Sequence, residues 1–310
     1  MLPPAAQDYH RAQTKEHRAA LQAVKRQWGR MGSDFDSSWA TIAMVVAAIM
    51  ATAQERTVEQ AVAYIPQVLE DTGQARSIDS TADINPGAFV GVNGDGRMIE
   101  EALFGAVIVA KARVGQGAGV GQALREGGRW LTQAAGTALS DTGRAVERVG
   151  MAVRPIGGYV RMLTPPSCSR CVILAGARYY SSTAFQRHPR CDCRHIPASE
   201  SVAGDLTVSP SEYFDSLPKD EQDRIFTRAG AEAIRNGADI NQVINSRRGM
   251  YTTADGYKFT REGTTRRGFY GSREARRGTN RRRLMPEQIQ KISANKDEYL
   301  RLLKAYGYII

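Results

Sequence analysis

The sequence predicts an α+β protein with a mostly helical N-terminal half, a small domain that contains a β-hairpin, and a helical C-terminus. Apolar residues recur at helical spacing over roughly the first half of the chain. Near Pro155–Gly158 this pattern gives way to short β-leaning runs, and helical spacing returns toward the C-terminal end. With 310 residues, 42% of them hydrophobic, the chain can bury a sizeable core in two small domains or in one domain with extensions.

Two helices are predicted at the start of the chain. The apolar spacing up to Trp28 indicates an amphipathic surface helix, and a more apolar helix should run from Trp39 to Leu69, bent or broken at Pro66. The uncharged stretch Ser37–Gln54 has 18 residues, the lower edge of a membrane-spanning length. Because acidic residues precede it and no clear basic flank accompanies it, we expect a buried helix of a bundle or oligomer and no membrane span.

The later elements follow from the same patterns. Helices are predicted over Arg97–Arg113 and Leu124–Val153, and a third from Ser211 to Phe226. Tyr159–Leu163 and Cys171–Leu174 are short β-leaning runs. The chain therefore divides into a helical region at 1–154, a small domain at 155–246, an arginine-rich arm at 247–283 and a C-terminal helix at 284–310.

The four cysteines all lie between Cys168 and Cys193, in the order C-x-x-C, sixteen other residues, and then His188-Pro-Arg-Cys191-Asp-Cys193-Arg-His195. Zinc prefers four thiolate or imidazole ligands in a tetrahedron, and a C-x-x-C turn supplies two of them. The predicted Zn²⁺ ligands are Cys168, Cys171, Cys191 and Cys193, with His188 as the alternative ligand and His195 as a less favoured one. Core packing of the thiols and a catalytic Cys–His pair are the competing interpretations. One local cluster in a long chain without an export signal predicts synthesis in a reducing compartment, and it favours metal binding over disulfides.

Most of the net charge lies in one segment. The chain holds 42 basic and 32 acidic side chains, a net charge of +10, whereas residues 247–283 alone hold twelve basic and three acidic ones, a local charge of +9. The candidate nucleic-acid-binding residues are Arg247, Arg248, Arg261, Arg266, Arg267, Arg273, Arg276, Arg277, Arg281, Arg282 and Arg283. Interleaved aromatics at Tyr251, Tyr257, Phe269 and Tyr270 are candidates to stack on bases. The alternatives are a solvated tail or an arm that docks on an acidic neighbouring subunit.

The order of motifs in the cysteine-containing region is distinctive. The C-x-x-C of Pro166–Gly176 and the H-P-x-C-x-C of Arg187–His195, taken together, resemble the phage Mu F-like (MuF) domain of minor head proteins. The sequence that follows is similar to that of actinobacteriophage members over Asp220–Gly230 and Gly237–Gly249. The arginine-rich segment that leads to Leu284 is similar to theirs as well. The resemblance covers about residues 155 to 310, and the helical first half matches only in general character.

This resemblance implies a minor capsid or head-morphogenesis protein. Such a protein is made in the host cytoplasm and incorporated into the virion in low copy, near the portal. Its expected partners are the portal protein, the major capsid protein and packaged DNA, with the helical region 1–154 contacting the portal or capsid. Oligomerisation in the particle is also expected.

Two other functions stay open from the residues alone. One is a capsid maturation hydrolase or protease that depends on a cysteine or a metal, for which Asp192 is the nearest acid. The chain contains neither an H-E-x-x-H nor a G-x-S-x-G motif, so we expect no enzyme activity. The other is a nucleic-acid-binding protein with a zinc knuckle.

Overall fold

A computed structural model describes residues 2–74, 79–163, 167–186, 188, 191, 193–279 and 282–310. The chain forms two compact units, of which the first is Met1–Met162 with Arg178–Leu206 and the second is Leu163–Ala177 with Thr207–Ile310. The described part is mostly helical with small antiparallel sheets, which agrees with the α+β class. Arg281, a candidate for nucleic-acid binding, and Asp192 lie outside the described residues.

Long helices make up most of the first unit. They are α1 (Pro4–Trp28), α2 (Phe35–Asp71), α3 (Ile99–Leu103), α4 (Gly105–Gly115) and α5 (Val120–Ala152). Trp28 and Trp39 meet edge to face with ring centroids 6.3 Å apart, and Trp39 meets Phe104 at 6.4 Å. Trp28 Nε1 donates to the carbonyl of Leu124 at 2.9 Å. A Cβ at Gly128 would come within 2.8 Å of the Trp28 ring, so a glycine at this point of α5 is what allows the tryptophan to lie against it.

Helix α2 differs from its prediction at both ends and in the middle. It begins before Trp39 because the side chain of Asp34 caps it, accepting from the amide of Ser37 at 3.1 Å. The predicted break at Pro66 is wrong, since the helix continues through it. Proline has no amide hydrogen, so the carbonyl oxygen one turn before Pro66 receives no hydrogen bond from it. Because Pro66 is exposed, water can bond to that oxygen instead. The chain turns away after the helix at Gly73, whose φ is 69°.

By length and composition, α2 is also the one helix among the described residues that could cross a membrane. Its most apolar window has a mean hydropathy of 1.4. Core helices of globular proteins have the same property. Ile42, Val46 and Met50 of α2 are buried in an apolar cluster with side chains of α4 and α5. That α2 is a bundle helix outside a membrane stays a prediction.

The first unit also contains a three-stranded antiparallel sheet in the order β2–β1–β3. Its strands are β1 (Gly158–Arg161), β2 (Arg178–Tyr180) and β3 (His195–Pro197). Every residue of β1 and β3 is buried, and Val160 and Ile196, which pair across these strands, are both fully covered. The β-leaning prediction for Tyr159–Leu163 therefore corresponds to a real strand.

The prediction that the other β-leaning run forms a strand is wrong. Cys171–Leu174 lies within helix α6 (Ser169–Ala175), which belongs to the second unit. A run of four apolar residues is compatible with either state, and here Cys168 caps a helix. Helix α7 (Glu200–Leu206) follows β3 in the first unit.

The second unit continues with short elements. They are α8 (Pro210–Ser216), α9 (Lys219–Phe226), α10 (Arg228–Arg235), α11 (Ile240–Ser246), β4 (Met250–Thr252), β5 (Lys258–Thr260), α12 (Phe269–Arg276), β6 (Arg283–Leu284), α13 (Pro286–Ile292) and α14 (Lys296–Ala305). The single helix predicted from Ser211 to Phe226 is divided at Leu217–Pro218, because a residue before proline disfavours the helical conformation. At the C-terminal end, α13 and α14 are separate helices, and Asn295 caps the second by accepting from the amide of Glu298 at 2.9 Å.

The arginine-rich segment is folded rather than an extended arm. It contributes β4, β5, α12 and β6, and the strands form an antiparallel sheet in the order β4–β5–β6. The turn between β4 and β5 contains Gly256 with φ of 81°, a conformation that glycine adopts without strain. Thr260 Oγ1 donates to the carbonyl of Ser246 at 2.6 Å, which ties the sheet to α11.

Candidate metal centre and nucleic-acid interface

The first two cysteines lie at the start of α6. Cys168 is the N-cap of this helix, with extended backbone angles, and its Sγ accepts a hydrogen bond from the amide of Cys171 at 3.4 Å. An amide–sulfur bond between the two ends of a C-x-x-C turn holds both sulfurs on one side of that turn. This is the arrangement from which a metal knuckle receives two thiolates.

The other two cysteines lie just before β3. The amide of Cys191 donates to the carbonyl of His188 at 3.0 Å, so these residues form a turn. The amide of Met162 donates to the carbonyl of Arg194 at 2.9 Å, which extends the pairing of β1 and β3 toward Cys193. Cys191 and Cys193 are each only 4% exposed.

The cysteines form one candidate ligand group in each unit. In the second unit the sulfur atoms of Cys168 and Cys171 lie within 4.8 Å of each other, and in the first unit the same holds for Cys191 and Cys193. All four cysteines are present as thiols rather than disulfides. Each pair could supply two ligands to a metal ion.

Two buried arginines surround the second pair of cysteines. Arg144 of α5 donates from Nε to the carbonyl of Cys193 at 3.0 Å and from Nη2 to the carbonyl of Cys191. Arg161 of β1 places Nη1 3.8 Å from Cys191 Sγ, and its guanidinium lies over the Phe185 ring with 3.9 Å between Cζ and the ring centroid. A zinc ion bound by several thiolates leaves net negative charge, and these guanidinium groups would offset it.

His195 is in neither ligand group and has a different role. It is 1% exposed, and its Nδ1 and backbone amide lie 2.7 and 2.9 Å from Oε2 of Glu147. Burial would raise the pKa of Glu147, but the hydrogen bonds from His195 and the charge of Arg194 bring that pKa below its usual value. Burial lowers the pKa of His195 and outweighs the opposing effect of Glu147. The pair is thus a carboxylate that accepts from a neutral imidazole, with Tyr9 donating to its other oxygen at 2.8 Å.

Sequence reasoning missed these buried charges around the cysteines. Asp141, Arg144 and Glu147 recur at every third residue of α5, and all three are buried. Charged residues at helical spacing inside an apolar segment are a signal that a buried polar network could be present. Nothing in the sequence indicates which distant residues they contact.

Comparison with known proteins identified no relative. Searches of family models, of curated proteins and of solved structures found no match to this chain.

Most described cations of the arginine-rich segment are on the surface. The exposed ones are Arg248, Lys258, Arg261, Arg266, Arg267, Arg276, Arg277 and Arg282. Asp255 is exposed in the same segment, whereas Glu274 is buried and paired with Arg277 at 3.8 Å. The folded segment therefore presents a basic surface to solvent.

Three candidate arginines instead hold the unit together. Arg283 is 1% exposed and donates to the carbonyls of Tyr306, Glu262 and Gly307 and to Oε1 of Gln242, each at 3.0 Å. Arg273 donates to the carbonyls at the end of α14, and Arg247 donates to Thr227 Oγ1 at 3.2 Å. These contacts give all three arginines a role in the fold of the unit.

The aromatic residues of the segment also separate into two sets. Tyr270 is 1% exposed and lies beside the ring of Tyr306, with 6.1 Å between centroids, so it is not accessible to a base. Tyr257 and Phe269 are 42% and 41% exposed. Phe259, which sequence reasoning passed over, stacks with both Tyr251 and Tyr257 in the folded sheet. Its position two residues after Tyr257 was the available signal, because residues two apart share one face of a strand.

Proposed function

We propose that this protein is a phage minor head protein of the MuF-like type, a structural component of the virion near the portal that binds Zn²⁺ through its cysteine cluster. The observation that supports the proposal is the pairing of the thiols, with the sulfur atoms of Cys168 and Cys171, and those of Cys191 and Cys193, within 4.8 Å of each other. The motifs that resemble the MuF domain contain these same cysteines, and metal coordination gives their spacing a chemical reason.

The zinc ion would be held by Cys168, Cys171, Cys191 and Cys193, with His188 as the alternative fourth ligand. Zinc takes four ligands in structural sites, and thiolates are the ligands it favours there. A bound metal would stabilise the region around the cysteines in the way that a larger core stabilises bigger domains.

The partners follow from the same proposal. The long helices of the first unit would contact the portal or the major capsid protein, in low copy or as an oligomer in the particle. The exposed cations of the second unit would contact packaged DNA, because a surface of this charge attracts phosphates. Burial of His195 argues against His195 as the base of a catalytic Cys–His pair, since a base must reach its substrate.

Metal analysis tests the zinc site. We expect the purified full-length chain to contain near-stoichiometric zinc and Cys171→Ser to lose most of it, because this change leaves the C-x-x-C turn with one thiolate instead of two. Ser169→Ala, a change within the same turn that removes no ligand, should retain the metal. Absence of zinc from the wild-type chain, with all four thiols reacting freely, would remove the site.

Mass spectrometry of purified phage particles tests whether the protein is a component of the virion. We expect peptides of this chain in the particles at a small fraction of the amount of the major capsid protein. Finding the chain only in the soluble fraction of the infected host would instead favour a regulator with a zinc knuckle.

A further inference from the structure

The β4–β5–β6 sheet has two chemically different faces. Tyr251 of β4 pairs directly with Phe259 of β5, and Thr260 of β5 pairs with Arg283 of β6. Because side chains alternate along a strand, Tyr251, Phe259 and Tyr257 share one face, while Thr260 and Arg283 share the other. The second face is buried where β5 pairs with β6, with Thr260 at 2% and Arg283 at 1% exposure, whereas Thr252 and Lys258 on the same face are exposed. The first face retains solvent access at its aromatic rings.

The three rings of this face form two stacked pairs that share Phe259, and together they are called the aromatic row. The centroids of Tyr251 and Phe259 are 5.9 Å apart with 25° between the ring planes, and those of Tyr257 and Phe259 are 6.4 Å apart with 24° between planes. Tyr257 is 42% exposed, and Tyr251 and Phe259 are half-buried. Near-parallel aromatic rings held by a sheet form a ready-made surface on which flat heterocycles can stack.

Cations lie along this aromatic row. The guanidinium of Arg261 lies 5.3 Å from the centroid of Tyr251, and that of Arg282 lies 5.7 Å from the centroid of Phe259. Both arginines are exposed. Exposed aromatics beside exposed cations match a ligand that combines flat rings with negative charge at regular intervals.

We propose that the open face of β4–β5–β6 binds single-stranded nucleic acid, with bases stacked on Tyr251, Tyr257 and Phe259 and phosphates paired with Arg261 and Arg282. A single strand can turn its base faces toward the protein, whereas a duplex keeps them stacked inside the helix. Stacking is available to every base, so the face binds without reading a particular sequence. The proposal deepens the DNA contact in the proposed function, and it fixes the form of nucleic acid and the residues that hold it.

Fluorescence anisotropy with the full-length chain tests this assignment. The probes are a labelled oligothymidylate and a labelled duplex of equal length, each titrated over a range of salt concentrations. We expect tighter binding of the oligothymidylate. Tyr257→Ala should weaken it about tenfold, with the salt dependence unchanged, because one stacked base is lost while the phosphate contacts stay. Arg261→Gln should instead reduce the slope of affinity against salt.

Phe269→Ala is the matched control, because Phe269 is an equally exposed aromatic of the same basic segment outside the sheet face. It should leave oligothymidylate binding unchanged, and Tyr257→Phe should retain it because the stacking ring is kept. Thermal unfolding of each variant verifies that the fold is intact.

Equal binding of duplex and single strand, or equal effects of Tyr257→Ala and Phe269→Ala, would overturn the stacking proposal and leave a general electrostatic DNA contact. Binding of polyglutamate without binding of either oligonucleotide would assign the face to an acidic protein. Neither outcome would contradict the presence of the chain in phage particles, because mass spectrometry of the particles tests that separately.

Discussion

The two three-stranded sheets of this protein both carry arginines packed on aromatic rings, yet they use them in different ways. In β2–β1–β3, Arg161 is 2% exposed and lies over Phe185 at 3.9 Å. In β4–β5–β6, Arg261 is exposed and lies over Tyr251 at 5.3 Å. The pairing of residue types is the same in both sheets. What covers the sheet decides whether an arginine–aromatic pair belongs to the core or to a surface that can bind a ligand.

The packing around each sheet accounts for this difference. The first sheet contacts both α2 and α5, and Tyr64 of α2 donates to the carbonyl of His195 in β3 at 2.9 Å. The second sheet is tied down on one face, where Thr260 bonds to Ser246 and Arg283 bonds to the carbonyls around it. Polar groups buried in the first sheet must all find partners, whereas the open face of the second leaves its cations in water.

The largest effect is expected from Glu147→Ala, which removes the carboxylate at the centre of the buried cluster behind the first sheet. Tyr9, His195 and the nearby Arg194 would lose their acceptor or counter-charge, so the free energy of unfolding should fall by about 3–5 kcal/mol. Urea denaturation measures this change. Glu147→Gln keeps an acceptor oxygen and should cost less. A loss as small as that of a surface substitution would show that this cluster is not a coupled buried network.

Adjacent arginines on opposite faces of the second sheet provide the next comparison. Arg283→Ala leaves several buried carbonyl oxygens without a donor and should lower the free energy of unfolding by about 3 kcal/mol. Arg282→Ala, one residue earlier and exposed, should change it by less than about 0.5 kcal/mol. Similar losses for both variants would contradict the assignment of a buried and an open face.

A pH titration examines the buried polar layer of the first unit. His17 is 8% exposed, and its Nε2 lies 3.2 Å from Thr57 Oγ1. Burial, with the charges of Arg194, Arg144 and His10, lowers its pKa from 6.5 to about 3. The unfolded chain therefore takes up the proton first as the pH falls. The contribution of neutral His17 is complete above pH 6.5 and is lost progressively toward pH 3.

At about pH 5 this effect should cost the wild-type chain about 2 kcal/mol relative to neutral pH. His17→Gln retains a hydrogen-bonding side chain but cannot titrate, so its unfolding free energy should fall less over the same range. Urea denaturation of both proteins at the two pH values isolates the difference. Equal losses in the two proteins would mean that His17 is not held neutral.

The smallest effect on stability is expected from Arg261→Gln on the open face. An exposed cation over a half-exposed ring contributes little, so the free energy of unfolding should change by no more than about 0.5 kcal/mol. The same variant is used in the nucleic-acid binding experiment, so its effect on stability shows whether a change in binding could come from a change in the fold. A large loss measured by urea denaturation would place Arg261 in the core of the unit and weaken its role as a surface contact.

Much of the fold could be predicted from periodicity, and the errors have local causes. The long helices of the first unit and strand β1 follow from their apolar spacing. The break at Pro66 was wrong because an exposed proline can remain inside a helix whose other contacts are sufficient. The strand at Cys171–Leu174 was wrong because the cap at Cys168 favours a helix over the β propensity of so short a run.

In the candidate sites, the sequence indicates some of the residues, and only the folded structure brings the others beside them. The cysteines were visible as candidate ligands because they are close in sequence, with C-x-x-C and C-x-C spacing. Arg144 and Arg161, which bond to or approach Cys191, were not visible, since they come from elements that precede it by dozens of residues. The basic segment was visible as charge, but its aromatic row required the register of β4 against β5.

The sequence by itself determined where the thiols and cations are concentrated, because spacing and charge are properties of the chain. Only the tertiary structure decided which of these groups are buried. Arg282 and Arg283 are identical neighbours, yet the alternation of side chains in a strand leaves the first exposed and buries the second. Burial depends on what packs against each face, and that is set by contacts between residues far apart in the sequence.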